Sequence, residues 1–184
     1  MSTKYLKRFF KPKSIAVFGA SEKENSMGGI VLQNLLDSGF EGKLMAVNKR
    51  GYDTVYGVTC YSGLTRLPEM PDLAIICSPP ESVAGLIRKL GANMVKAAMI
   101  LTGGLSIASE PLGKSMRDEI MEAAGPYGIR ILGPDGMGML VSGHKRNASY
   151  SHPNIRQGKV RCVGQVGLVC TAFLVGRGRC WVAG

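Results

Sequence analysis

Short apolar runs alternate along this chain with segments whose apolar residues recur every three or four positions. Ser14-Ile15-Ala16-Val17-Phe18 is apolar after its first residue and stops at Gly19, the pattern of a strand covered on both faces. Val31, Leu32, Leu35 and Leu36 then fall on one helical face, and Gly39 ends that helix. Leu44–Val47 and Asp72–Cys77 read as further strands. Pro79-Pro80 opens a helix whose apolar face carries Val83, Leu86, Ile87 and Leu90, with Gly91 closing it. Ala97–Leu101 is the next strand. Leu112, Met116 and Ile120 share a helix ending near Gly125, and Arg130-Ile131-Leu132 forms one more strand before Gly133-Pro134.

Repeated strand–helix–strand order predicts an α/β fold, a Rossmann-like three-layer parallel sheet with helices on both faces. Ligands of such sheets lie beyond the carboxyl ends of the strands. The informative loops are therefore those after Phe18, Val47, Cys77, Leu101 and Leu132. The alternation breaks after Leu140. Ser142–Gly158 is polar and turn-rich and reads as a linker, Lys159–Val163 as a short strand, and Gly176–Gly184 fits neither period. This divides the chain into a first domain at 1–141 and a remainder at 142–184.

With 184 residues, 45% hydrophobic and 20% charged, the chain suits one domain with a sizeable core plus a short extension. No apolar run approaches the roughly 18 residues of a membrane-spanning helix. The basic stretch Met1–Lys13 lacks the apolar run and cleavage site of a signal peptide. A cytoplasmic protein without membrane contact is expected. The five cysteines are odd in number and show no zinc or C-x-x-C spacing, so reduced thiols are expected. Two histidines make a multi-histidine metal site implausible. The net charge of +10 favours an anionic partner. Lys4, Lys7, Arg8, Lys11 and Lys13, interleaved with Tyr5, Phe9 and Phe10, are the densest basic cluster. That pattern fits a nucleic-acid grip or a solvated helix face with aromatics tucked beneath it. The second is preferred, and no nucleic-acid partner is expected.

The loop after the first strand, Gly19-Ala20-Ser21-Glu22 through Gly28-Gly29, has the composition of a phosphate cradle. Glycine at the strand end admits close approach of a phosphate, the helix start supplies N–H groups, and Ser21 adds a hydroxyl. The spacing is longer than the G-x-G-x-x-G dinucleotide fingerprint. After the second strand comes Asn48-Lys49-Arg50, where an NAD site would carry an acidic residue. Two cations there suit a ribose phosphate, and coenzyme A and NADP both carry one. Ser78-Pro79-Pro80 and Thr102-Gly103-Gly104 leave room for a ligand chain, and Gly133-Pro134-Asp135-Gly136 bends sharply. No carboxylate pair and no Ser-His-Asp or Cys-His set is assembled by these loops. His144 lies beyond them as a surface residue without a base role.

Several segments in order resemble the NDP-forming acyl-CoA synthetases and the related bacterial protein lysine acetyltransferases. They are Phe10-Lys11-Pro12-Lys13-Ser14 through Ser21, Asn34-Leu35-Leu36, Gly39-Phe40-Glu41-Gly42, Ala46–Lys49, Pro71–Ala74, Gly128–Pro134, Asn147–Ser151 and Gly158-Lys159-Val160. In that family the region is a CoA-binding domain similar to the succinyl-CoA synthetase α subunit. The resemblance implies coenzyme A, or an acyl-CoA, as ligand. Gly19–Glu22 would wrap the phosphates and Lys49 would meet the nucleotide end. Leu101, Thr102 and Gly103 would line the pantetheine path, with Gly133-Pro134-Asp135 near the thiol.

Three departures qualify this. Asp135 stands where the family usually has Asn, placing a carboxylate near the thioester. Gly164-Gln165-Val166-Gly167 lacks both hydroxyls of a Ser-Gln-Ser-Gly-like phosphate loop. Residues 142–184 would hold only a linker and the truncated start of a second succinyl-CoA-synthetase-like domain. The phosphohistidine segment, the nucleotide-grasping domain and any acetyltransferase domain would lie outside this chain, which alone would catalyse nothing. A second subunit would have to carry them. The readings set against this one are an NADP-binding oxidoreductase domain and a non-enzymatic nucleic-acid or protein interaction module.

Overall fold

Every residue of the first strand, β1 (Ser14–Phe18), is buried, as its unbroken apolar run requires. Successive side chains leave opposite faces of a strand. Ile15 and Val17 accordingly pack with α2 (Met27–Asp37), while Ala16 and Phe18 pack with α3 (Pro80–Ala92) and α4 (Met116–Ala124). The same division holds in β5 (Leu73–Ile76) and β6 (Ala97–Ile100): Leu73, Ile75, Ala97 and Met99 face one core, and Ala74, Ile76, Ala98 and Ile100 the other. A sheet between two apolar layers is the three-layer α/β arrangement expected from the pattern.

The computed structural model describes residues 5–105, 108–109, 114–141 and 145–151. Among these, the main sheet has seven strands in the order β3-β4-β2-β1-β5-β6-β9, completed by β2 (Lys43–Val47), β3 (Thr54–Val55), β4 (Val58–Tyr61) and β9 (Arg130–Leu132). All pairs are parallel except β3–β4. In that hairpin Tyr56 and Gly57 both have positive φ, at 49° and 76°, the backbone of a two-residue type I′ turn. The hairpin was not expected; its strands are too short for a clear period.

Gly39 ends α2 as expected, in the left-handed region at φ 71°. Gly91 does not close its helix. It lies inside α3, buried, where a Cβ would collide with the ring of Tyr127. Its missing side chain serves packing, not termination. Part of the segment read as linker is also structured. β10 (Gly138–Val141) pairs antiparallel with β11 (Arg146–Ser149), which is wholly buried. Asn34 of α2 ties this hairpin down, its Nδ2 donating to the carbonyls of Ser149 at 2.9 Å and Ser151 at 2.8 Å. Two further short strands, β7 (Ala108–Ser109) and β8 (Lys114–Ser115), pair before α4. α1 (Leu6–Phe10) sends Phe9 into the core, the tucked aromatic expected of that basic segment. Leu112, His144, the Lys159–Val163 strand, the Gly164–Gly167 loop and the tail lie outside the described residues. No described helix is long and apolar enough to cross a membrane.

Candidate functional site

The chain runs from β1 outward to β2 on one side, then returns to place β5 on the other side of β1. The gap between the ends of β1 and β5 is thus a topological switch point, where open α/β sheets hold their ligands. Register brings the strand ends level: Phe18 pairs with both Val47 and Ile76, and Ile76 with Ile100. The loops at Gly19, Asn48, Cys77 and Leu101 therefore open on one edge.

Gly19 is the hinge of this edge. Its φ is 89°, its N–H donates to Val47 O at 2.8 Å, and a Cβ would sit 2.6 Å from Cys77 O. Only glycine meets both conditions. Gly28, in the first turn of α2, rests on the Gly19 carbonyl, and Gly29 on that of Ser21, with no room for a Cβ at either. These two contacts draw the start of α2 onto the loop. Ser26 caps the helix, its Oγ accepting from Gly29 N at 3.3 Å. The N–H groups of Met27 and Gly28 precede any intrahelical acceptor, so the positive end of the helix lies at the switch point.

Asn48 joins the first and second loops. Its Nδ2 donates to Ala20 O at 2.7 Å and its Oδ1 accepts from Arg50 N at 3.0 Å. Lys49 and Arg50 are exposed beside it. Ser21 is buried, and its Oγ accepts from Lys23 N at 3.1 Å. Tyr52 and Tyr56 belong to the site but escaped the sequence reading. Hydrogen bonding to Ser21, then to Arg50, holds the Tyr52 phenol below its ordinary pKa. Glu22 Oε1 accepts from Tyr56 N at 2.6 Å, fastening the first loop to the β3–β4 turn. The available signal was Gly57 flanked by the β-branched Thr54-Val55 and Val58-Thr59.

The second group of residues continues along the same edge. Thr102 Oγ1 donates to Ser78 O at 2.8 Å, closing the third loop on the fourth. Pro79 is exposed and precedes α3. A Cβ on Gly103 would lie 2.9 Å from Asp135 Oδ1, so Pro134-Asp135 and Thr102-Gly103 are neighbours. Asp135 itself has a positive φ of 62°. The side chains of Leu101 and Ala20 are buried in the core, which leaves only their backbone to face a ligand.

Cys77 follows β5 in the middle of this edge. The residue keeps some exposure, yet burial pushes its thiol up to about 12 from an ordinary 9.0. Its folded pKa lies above its unfolded one, so the unfolded chain releases this proton first. Stability should fall by about 1.4 kcal/mol per pH unit once pH exceeds 9. Buried Arg146, lowered to about 10, acts oppositely above pH 10. Burial also raises the Cys60 thiol, so a pH 9–10 melting series should show a downward slope that Cys77→Ala reduces. Alkylation at pH 8, read by peptide mass spectrometry, should be about a hundredfold slower at Cys77 than at a free cysteine.

Among the described residues no cluster of three His, Cys, Asp or Glu side chains is placed to hold a metal. The arrangement offers a helix start, a glycine-lined backbone and flanking cations, which suit a phosphate-bearing ligand.

Comparison with known proteins bears on what that ligand is. Residues 13–142 match a family described as a CoA binding domain. The α subunit of ADP-forming acetate–CoA ligase I from Pyrococcus furiosus is 31% identical over 172 residues, covering 92% of this chain and 37% of that protein. The ADP-forming acetate–CoA ligase of Methanocaldococcus jannaschii is 34% identical over 169 residues, covering 92% of this chain and 23% of that protein. This chain thus spans little more than a third, or less, of the curated relatives it matches. A solved structure of dinucleotide-forming acetyl-coenzyme A synthetase 1 from Ca. Korarchaeum cryptofilum, in complex with phosphate and ADP, superposes with a TM-score of 0.84 at 33% identity. It covers 93% of this chain and 36% of that one.

Proposed function

Since the chain belongs to the CoA-binding domain family, we propose that it binds coenzyme A or an acyl-CoA at the switch point between β1 and β5. The observation that carries this is the seating of Gly28 on the Gly19 carbonyl, which brings the start of α2 to the mouth of the sheet. Gly19, Ala20, Ser21, Glu22 and Gly28 surround the pyrophosphate, mainly through backbone N–H groups. Asn48, Lys49 and Arg50 take the nucleotide end, with the two cations on the 3′-phosphate. Ser78, Pro79, Leu101, Thr102 and Gly103 follow the pantetheine arm, and Pro134 and Asp135 stand near the thiol. Neither the NADP-binding alternative nor the interaction module is favoured by the comparisons.

In this reading residues 1–141 form the CoA-binding unit, with Arg146–Ser149 returning to it, and the remainder leads toward a second domain. The whole protein is an NDP-forming acyl-CoA synthetase of the cytoplasm, or a related acetyltransferase. Acid, CoA and a nucleoside triphosphate would react through a phosphohistidine on parts beyond this chain or on a second subunit.

Calorimetry and thermal melting with CoA test the binding. Saturating CoA should raise the melting temperature. Lys49→Glu, at an exposed position, should weaken binding about tenfold, as expected for reversing one phosphate contact. NADPH should give no comparable effect. Unchanged melting and no heat at saturating CoA would sink the proposal.

A further inference from the structure

At the other end of the same strands lies a cavity of about 390 Å³, within the size range of small-molecule sites. It is bounded by Phe10 and Lys11 at the end of α1, by the Phe40–Gly42 turn before β2, and by Lys145 and Arg146 at the start of β11. β1 and β2 begin beside it, so the length of the sheet separates it from the switch point.

Arg146 is the unusual member. It is 2% exposed, and its Nε has no hydrogen-bond partner. A terminal nitrogen reaches the Met139 sulfur at 3.4 Å, a weak acceptor. Among the described residues no ion pair joins Arg146 to a carboxylate. Burial lowers its pKa only to about 10, so it stays charged at neutral pH. A buried cation left uncompensated is strongly destabilising. The cavity does contain Glu41, but that carboxylate lies 3.4 Å from Lys145 Nζ, and both side chains are largely exposed. Three cations thus line the cavity against one carboxylate.

Its other walls are apolar. Phe10, Pro12 and Phe40 line it. Gly42 lets Phe40 lie flat against the turn, since a Cβ there would come 2.6 Å from Phe40 Cε1. β11 is held by Asn147 N donating to Ser38 Oγ at 3.1 Å.

We propose that this cavity binds a small organic anion, a carboxylate on an apolar body, with Arg146 as its counter-charge. The guanidinium pairs with the carboxylate through charge-assisted hydrogen bonds. The apolar body lies between the two phenylalanines.

Benzoate is a suitable probe, with benzyl alcohol matching its body and inorganic phosphate its charge. At tenfold excess over its Kd, benzoate should raise the melting temperature by about 4 °C. Benzyl alcohol and phosphate at the same concentration and ionic strength should not. Arg146→Met should melt cooperatively at or above the wild-type temperature and lose the benzoate shift. A merely structural arginine would instead lower the melting temperature when replaced. Should Arg146→Met fail to fold, Lys11→Glu, on the exposed rim, decides the matter by weakening benzoate about tenfold. No benzoate response at millimolar concentrations, a response surviving in these variants, or a phosphate response of equal size would overturn the proposal.

Discussion

Replacing Gly28 with valine is expected to lower the melting temperature by roughly 10 °C and to abolish the response to CoA. A side chain at this position meets backbone, with the Gly19 carbonyl carbon 2.7 Å and Ala20 N 2.9 Å from its Cβ. Neither atom has room to retreat. Gly19 N is bonded to Val47 O at 2.8 Å, Asn48 holds Ala20 O at 2.7 Å, and Gly19 already abuts Cys77 O on its other side. Forcing methyl groups into a locked contact costs about 3 kcal/mol or more. The chain can relieve the clash only by moving α2 away from the loop, which removes the helix start from the switch point. Gly85→Ala is the control. Gly85 also lies in a helix, but with open space around its Cβ position. That change should stabilise by about 0.5–1 kcal/mol. Equal melting of Gly28→Val and wild type, with CoA binding retained, would show that the seat is not needed.

Gly28 also illustrates what was legible beforehand. Its place in a glycine-bearing loop between strand and helix was plain from the chain. The two cores were equally plain, because Ser14–Phe18 and Leu73–Ile76 are unbroken apolar runs and Val31, Leu32 and Leu35 keep a helical period. Features that depend on distant partners were not. Gly91 looks like a helix end until Tyr127 is seen against it. Tyr52 and Tyr56 reach the site only because β3 and β4 fold back beside β2, and their runs are too short to declare a period. Leu101 was expected along the ligand path, yet its side chain belongs to the core. The polar Arg146–Ser149 read as linker because sequence cannot show that its carbonyls and amides find partners on α2.

Asn34 supplies two of those partners, and Asn34→Leu is expected to cost about 2–4 kcal/mol, the penalty for leaving two buried carbonyls unsatisfied. Its Nδ2 spends both donors, on Ser149 O and Ser151 O, and both serines are buried. Leucine keeps the branched outline of asparagine without its donors and suits the flanking apolar face of Val31, Leu32 and Leu35, so most of the loss reports the hydrogen bonds. The damage should be local. β11 touches the rest of the domain largely through α2 and β10, so its amides should exchange with solvent faster while those of β1, β5 and β6 keep their protection. Because β11 carries Arg146, the variant should also lose its benzoate response, whereas CoA binding at the far end of the strands should persist. Unaltered exchange at Arg146–Ser149 would mean that the β10 ladder alone holds the strand. Joint loss of both ligand responses would mean that the two ends of the sheet do not behave independently.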